Sequence, residues 1–365
     1  LEDCANLVGF DYNDYYKIEF DDDEVFEVFR NLDLRGIFQF EGYALHNLCR
    51  GIKVRHFEDI VAITALARPG PLHGGAAKRY IETHSGQTEV EYLIDHPAIK
   101  KVTEITLGTM IYQEQLMEIL RLLGDMTWKE INQLRNIVSK RKGKQMFDQF
   151  RDSFVEGAKK NGLTEEEALS PWEKMLTFGS YGFNRSHAVS YAMISYWTAW
   201  AKRYHPLEFT CSFLNNTGDV EACKKMLREM TKDNRVKFKA VDAELSDINW
   251  TIQNGTIVGG LTNIKGIGVS NAKKIVSSRR TGKPLPRSMS LKLIKGETDF
   301  DILFPCKYYW GEIIDFPETF GISGEITKIE KITKKGTYFF IGRLIKKNLR
   351  DLNEAQNVQN RGVEL

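Results

Sequence analysis

The chain has 365 residues, 42% of them hydrophobic and 27% charged, which suits two or three packed soluble domains. It contains no apolar run of the ~18 residues a membrane span needs, and its first residues lack a signal-peptide pattern. Five scattered cysteines (Cys4, Cys49, Cys211, Cys223, Cys306) without a Cys-x-x-Cys pair argue against a disulfide framework or a zinc cage and for a reducing cytoplasm. The formal net charge of +2 conceals an asymmetry: residues 1–33 hold eleven acids and two bases, while bases gather at 135–144, 265–287 and 328–350. Basic clusters of this kind are footprints for a polyanion, although any one of them also reads as solvated surface. The chain starts with Leu1 rather than Met, so we expect it to be processed or one piece of a longer polypeptide.

The acidic run 21–24 reads as a helix start, with Asp21 capping and Glu24 completing a capping box, rather than as a metal site. Residues 37–40 have strand composition. Residues 57–67 are apolar at helical spacing and stop at Pro69, so Arg68-Pro69-Gly70-Pro71 is expected to be a stiff extended loop. Residues 109–123 read as a helix, and Thr127-x-x-Glu130 opens another that runs to about 138. Thr164-x-x-Glu167 starts a third, and Ser170-Pro171-Trp172-Glu173 looks like a fresh start with proline at the first helical position. Helices therefore dominate residues 20–240. Asn254-Gly255 between β-prone residues predicts a hairpin, 281–290 a linker, and 321–345 a second, longer hairpin.

Four constellations carry charge in patterns that could do chemistry. Arg68 on a stiff loop can fix a phosphate at little ordering cost, or it is an exposed arginine after a helix terminator. Arg135, Lys140 and Arg141, with Lys142 and Lys144, either answer the dipole at a helix C-terminus or clamp a triphosphate, whose transfer needs electrostatic grip more than covalent help. Asn184-Arg185-Ser186-His187 stands before an uncharged stretch, 188–201. It reads as a capped helix start, or as one whose Arg185 and His187 also contact a nucleic-acid or nucleotide phosphate. Lys265-Gly266-Ile267-Gly268, followed by Lys273 and Lys274, reads as a helix-hairpin-helix that brings backbone amides and lysines to a DNA backbone, without base readout. The glycine spacing does not fit a dinucleotide fold. Asp299-Phe300-Asp301 is a weak candidate for two-metal chemistry, and no catalytic residue is assigned.

Several of these stretches together, in this order, resemble the bacterial replicative DNA polymerases of the C family, the polymerase III alpha subunits. They are Ile37-Phe38-Gln39-Phe40-Glu41, Ala65-Leu66-Ala67-Arg68-Pro69-Gly70-Pro71, Ile111-Tyr112-Gln113-Glu114-Gln115-Leu116-Met117, Leu134-Arg135 with Ser139-Lys140-Arg141, Phe178–Ala188, and 261–268. The resemblance spans roughly residues 5–280. It implies a mainly α (α+β overall) chain with a palm-to-fingers connection at 1–48, a helical fingers domain at 49–215 and a helix-hairpin-helix module at 216–290. A linker at 291–320 and a partial OB-like β region at 321–365 would follow. It further implies nucleotide contacts from Arg68, Arg135, Lys140, Arg141, Asn184, Arg185 and His187, and DNA contacts from Lys265, Gly266, Gly268, Lys273 and Lys274. The family commonly has two adjacent arginines where this chain has Arg135-Asn136, which places the weight on Arg135, Lys140 and Arg141. Its metal, magnesium, would be held by palm carboxylates outside this chain. The partners would be a DNA primer-template, a deoxynucleoside triphosphate, a palm-containing polypeptide and a sliding clamp, although no Gln-x-x-Leu-Phe-like clamp peptide stands between 288 and 320. The competing reading is a non-enzymatic nucleic-acid-binding module.

Overall fold

A computed structural model describes residues 1–140, 144–179, 182–232, 234–242, 244–295, 298 and 300. The chain divides into two compact units, one from Leu1 to Leu261 and one beginning at Thr262.

The first unit is a succession of helices. It begins with α1 (Glu2–Val8), α2 (Asp23–Arg30), α3 (Tyr43–Ile52), α4 (Phe57–Leu66), α5 (Pro69–His73) and α6 (Ala76–His84). Then follow α7 (Pro97–Thr103), α8 (Gln113–Leu122), α9 (Trp128–Ser139), α10 (Lys144–Asp148), α11 (Arg151–Lys160) and α12 (Glu165–Gly179). The long α13 (Arg185–Tyr204), α14 (Pro206–Asn216) and α15 (Val220–Lys232) lead to a small sheet of β1 (Lys237–Lys239), β2 (Thr251–Gln253) and β3 (Thr256–Val258). The sheet order is β1-β3-β2, with β1 parallel and β2 antiparallel to β3. Asn254 (φ 50°) and Gly255 (φ 70°) make the turn between β2 and β3, the left-handed pair that a two-residue hairpin requires.

Two apolar clusters hold this unit. One gathers α2, α3, α4 and α13. Its central pair, α4 against α13, brings buried Ala62 and Ala65 together with Ala188, Ala192 and Ala199, and small residues on both faces let the backbones approach. Aromatic rings seal its rim: Phe20 lies 4.5 Å from Phe57 and 5.1 Å from Tyr196. The other cluster comes from α7 to α12 and centres on Trp172, stacked between Phe147 (4.4 Å) and Phe154 (5.2 Å), with its indole N–H donated to Asp148 at 3.0 Å. Close packing here depends on Gly157 in α11: a Cβ at that position would lie 1.8 Å from the carbonyl oxygen of Gly124. Cys4, Cys49, Cys211 and Cys223 are buried free thiols, and burial pushes Cys49 up to about 12.

Several expectations are met and others corrected. The capping boxes Thr127/Glu130 and Thr164/Glu167 form as read. The α2 cap sits one residue later than expected: Asp22, not Asp21, accepts from the amide of Glu24 at 2.9 Å. Residues 37–40 form turns, not a strand; Ile37 and Phe40 are buried individually in the first cluster, so their apolar character reflects packing. Arg68 is extended, as the residue before a proline should be, but Pro69–His73 is a short helix with Pro69 at its first position, where the missing N–H costs nothing. Pro171 does not start a helix; it lies inside α12. The buried Trp172 next to it carries the helix through, at the loss of one backbone hydrogen bond. Part of the expected linker is helical, because α16 (Val269–Thr281) ends at Gly282 and α17 (Arg287–Lys295) begins soon after. Residues 321–345, Asp299 and Asp301 lie outside the described residues.

Candidate nucleotide and polyanion sites

The first site is built on the N-terminus of α13. Phe183 pairs with Tyr112 in a short parallel bridge: Gln113 donates its amide to the Phe183 carbonyl at 2.8 Å, and Phe183 donates to the Ile111 carbonyl at 3.1 Å. The segment before α8 is in turn fixed by buried Gln115. Its Oε1 accepts from the amides of Ile111 (2.8 Å) and Tyr112 (2.9 Å), and its Nε2 donates to the Thr106 hydroxyl at 2.6 Å. A side-chain amide used on both ends is a rigid spacer, because any slip would leave a buried polar group unpaired.

On this support the charged residues converge. Asn184 caps α13, accepting from the amide of His187 at 2.8 Å. The Arg68 guanidinium stacks on the Phe183 ring at 3.9 Å, and His187 packs between Phe183 (5.4 Å) and Tyr191 (4.1 Å). Arg185, the first residue of α13, lies 5.8 Å from the centre of the Tyr112 ring and donates to Glu58 Oε1 at 2.9 Å. Glu114 accepts from the Arg185 amide at 2.9 Å and from Asn184 Nδ2 at 2.8 Å. Burial first, and the neighbouring Glu58 charge second, raise the Tyr112 hydroxyl well above its ordinary value, so it stays neutral. The site thus joins Arg68, Asn184, Arg185 and His187 around Phe183, with two carboxylates among them. Beside it, Asp59 is buried against His84 (2.8 Å) and accepts from the amides of Arg55 and His56. Burial opposes its ionisation, but the His84 contact and those amides hold it below the usual carboxylate range.

Arg135 and Lys140 belong to α9 and its C-cap. Both are exposed, and at the C-cap a cation suits the helix dipole. Among the described residues no contact joins them to Arg68 or Arg185. Arg141 lies outside the described residues.

The second site belongs to the second unit. Gly266 has φ 80° and accepts from Lys292 Nζ at 3.0 Å, while Ile264 and Ile267 on either side are buried. Gly268 is the N-cap of α16 and makes no side-chain cap bond to the first amides of that helix. Lys265, Lys273 and Lys274 are exposed.

Glu58, Glu114, Gln115 and Phe183 are the structural partners that sequence reading passed over as site residues. Among the described residues no group of three or more His, Cys, Asp or Glu side chains could hold a metal ion, so no metal step is assigned to them.

A predominantly helical domain that gathers arginines, an amide and an imidazole at the capped start of a long helix has the chemistry to receive an anion. Residues 2–162 match the bacterial DNA polymerase III alpha subunit finger domain. The chain is 35% identical over 296 residues to the DNA polymerase III subunit alpha of Aquifex aeolicus (strain VF5), covering 80% of this chain and 24% of that protein. It is 32% identical over 275 residues to that of Escherichia coli (strain K12), covering 74% and 23%. With the subunit of Staphylococcus aureus (strain Mu50) it shares 34% over 270 residues, or 73% and 24%. The chain belongs to the DNA polymerase III alpha family and carries its finger domain. It spans about a quarter of the length of the curated relatives it matches.

Proposed function

We propose that this chain is the fingers and DNA-gripping part of a DNA-directed DNA polymerase acting in replication. Arg68, Asn184, Arg185 and His187 contact the phosphates of an incoming deoxynucleoside triphosphate, and Arg135, Lys140 and Arg141 add longer-range positive charge. The loop 265–268, with Lys273 and Lys274, holds the duplex backbone. The observation that carries this reading is that Arg68 and His187 both pack on the Phe183 ring while Arg185 lies over the bridged Tyr112 ring, at the start of α13. Stacking fixes the Arg68 guanidinium in place, so little freedom is lost when a phosphate binds it. Nucleotidyl transfer would then use magnesium and carboxylates supplied by a palm-bearing polypeptide; the part played here is orientation and charge neutralisation.

The test is primer extension with the chain joined to a palm-bearing partner. Arg68→Ala should raise the nucleotide KM or lower kcat by about tenfold or more, consistent with a charged hydrogen bond worth roughly 1.5–3 kcal/mol. Unchanged kinetics would remove Arg68 from the nucleotide site. Absence of extension with every partner, alongside duplex binding, would favour the non-enzymatic module.

A further inference from the structure

Arg185 occupies the first position of α13. A cation there opposes the positive end of the helix dipole, so the arrangement calls for negative charge. Two carboxylates supply it, in different ways. Glu114 uses both oxygens, one on Asn184 Nδ2 and one on the Arg185 amide. Glu58 uses one: Oε1 takes Arg185 Nη2, while Oε2 is buried without a partner, and Arg185 Nε is likewise buried without one. A guanidinium facing a carboxylate can form two parallel hydrogen bonds. This pair forms one and leaves an orphan on each side, with both side chains about 40% exposed. Glu114 is therefore a fixed part of the helix start, whereas Glu58 is an exchangeable partner.

Resting on the nucleotide-site reading above, we propose that Glu58 is a latch. It holds the Arg185 guanidinium where a phosphate oxygen would otherwise sit, and releases it to the triphosphate. The carboxylate stands in for the ligand while the site is empty, keeping Arg185 from an uncompensated position at the helix start. Binding must first break that contact. A protein whose binding-competent state is only partly populated binds its ligand more weakly by that fraction. Glu58 thus sets the threshold for phosphate capture, and it favours multiply charged tails over singly charged anions because only they replace it without loss.

The experiment measures binding of inorganic tripolyphosphate to the 365-residue chain by calorimetry. A half-exposed ion pair is worth roughly 0.2–1 kcal/mol, so Glu58→Gln should tighten binding by about 1.4- to fivefold. Removing a negative charge anywhere nearby would also tighten anion binding, and the Arg185→Ala background separates the two causes. The latch requires the gain to vanish in Glu58→Gln/Arg185→Ala; a gain that persists there is general electrostatics and overturns the proposal. Glu58→Asp, which keeps the charge and shortens the reach, should tighten binding by a smaller factor. If Arg185→Ala weakens binding but Glu58→Gln leaves it unchanged or weaker, the latch fails and the nucleotide site stands. If Arg185→Ala alters nothing, the site reading fails and the latch with it. Thermal melts of each variant exclude misfolding as the cause.

Discussion

The chain carries two helix N-termini of opposite design. The start of α13 is fully dressed: a side-chain cap from Asn184, two carboxylates, a stacked arginine and a wall of aromatic rings. The start of α16 is bare: a glycine N-cap without a side-chain bond, and exposed lysines around it. Side chains held in one geometry discriminate between ligands, whereas backbone amides and exposed ammonium groups suit any phosphate backbone. The far ends of the two helices differ in the same sense. At the C-terminal end of α13, Lys202 is wholly buried, with Asp33 Oδ1 at 2.6 Å, Glu229 Oε1 at 2.8 Å and the Arg35 carbonyl at 2.8 Å. The α16 helix ends at Gly282 in the left-handed conformation and buries only Ala272 and Ile275.

The largest test of this contrast is Lys202→Met. Breaking a buried ion pair typically costs 3–5 kcal/mol because the partner charges lose their compensation. Arg235 still reaches Asp33 and Arg35 still reaches Glu229, so a loss near the low end, about 3 kcal/mol, is expected in the first unit. Denaturant unfolding followed by tryptophan fluorescence measures it, since Trp197 and Trp200 lie on α13. A loss below about 1 kcal/mol would mean that the network does not anchor the helix. The same network gives a pH dependence. Burial opposes ionisation of Asp33, yet the Arg235 and Lys202 contacts hold it below the usual range. Its stabilisation is present above the unfolded value of about 3.9 and is lost as pH falls through the lower folded value. Asp33→Asn should remove that part of the acid-side slope.

Next comes Gly266→Val. The φ of 80° is costly for a residue with a Cβ, roughly 1–2 kcal/mol. The new Cβ would also come within 2.9 Å of Lys292 Nζ, but that flexible ammonium can move away, so backbone strain dominates. Duplex affinity should fall about tenfold or less, by the same factor for every sequence. An effect confined to some sequences would contradict backbone recognition.

Asn184→Ala should cost about 1 kcal/mol of stability in the first unit, the usual worth of a side-chain N-cap. It also frees one oxygen of Glu114. Unfolding midpoints of the variant and the parent decide it, and an unchanged midpoint would mean that Glu114 alone fixes the helix start.

What the sequence revealed depended on how local each determinant was. The boxes at Thr127 and Thr164, the Asn254-Gly255 turn and the capped helix start at 184–187 are set within four residues and were readable, although the sequence left the cap open between Asn184 and Ser186. The turn at 37–40 and the continuity of α12 through Pro171 were not, because burial of Ile37, Phe40 and Trp172 against distant elements overrides local preference. The site divides in the same way. Arg68 and Arg185 stood out as charged residues in unusual settings, but their union depends on Phe183 pairing with Tyr112 across about seventy residues of chain. Glu58 and Glu114 looked like ordinary first-turn acids, which satisfy the dipole of their own helix. Only the fold shows that the same charges also serve α13.

The smallest expected effect tests the bare helix start most directly. Lys273 and Lys274 are adjacent on α16 and exposed. If each neutralises one phosphate, Lys273→Ala should lower the slope of log K against log salt by about 0.9 and the double alanine variant by about twice that. Their affinity losses should be modest at high salt and larger at low salt, since released counterions supply the driving force. Filter binding of a random-sequence duplex across a salt series gives both numbers. Lys292 provides the internal control. It is tied to the Gly266 carbonyl at 3.0 Å, so Lys292→Ala should disturb the loop and lower affinity at every salt concentration without a full unit of slope. If instead Lys292→Ala changes the slope as much as Lys273→Ala does, the lysine is a phosphate contact, and the loop needs no brace.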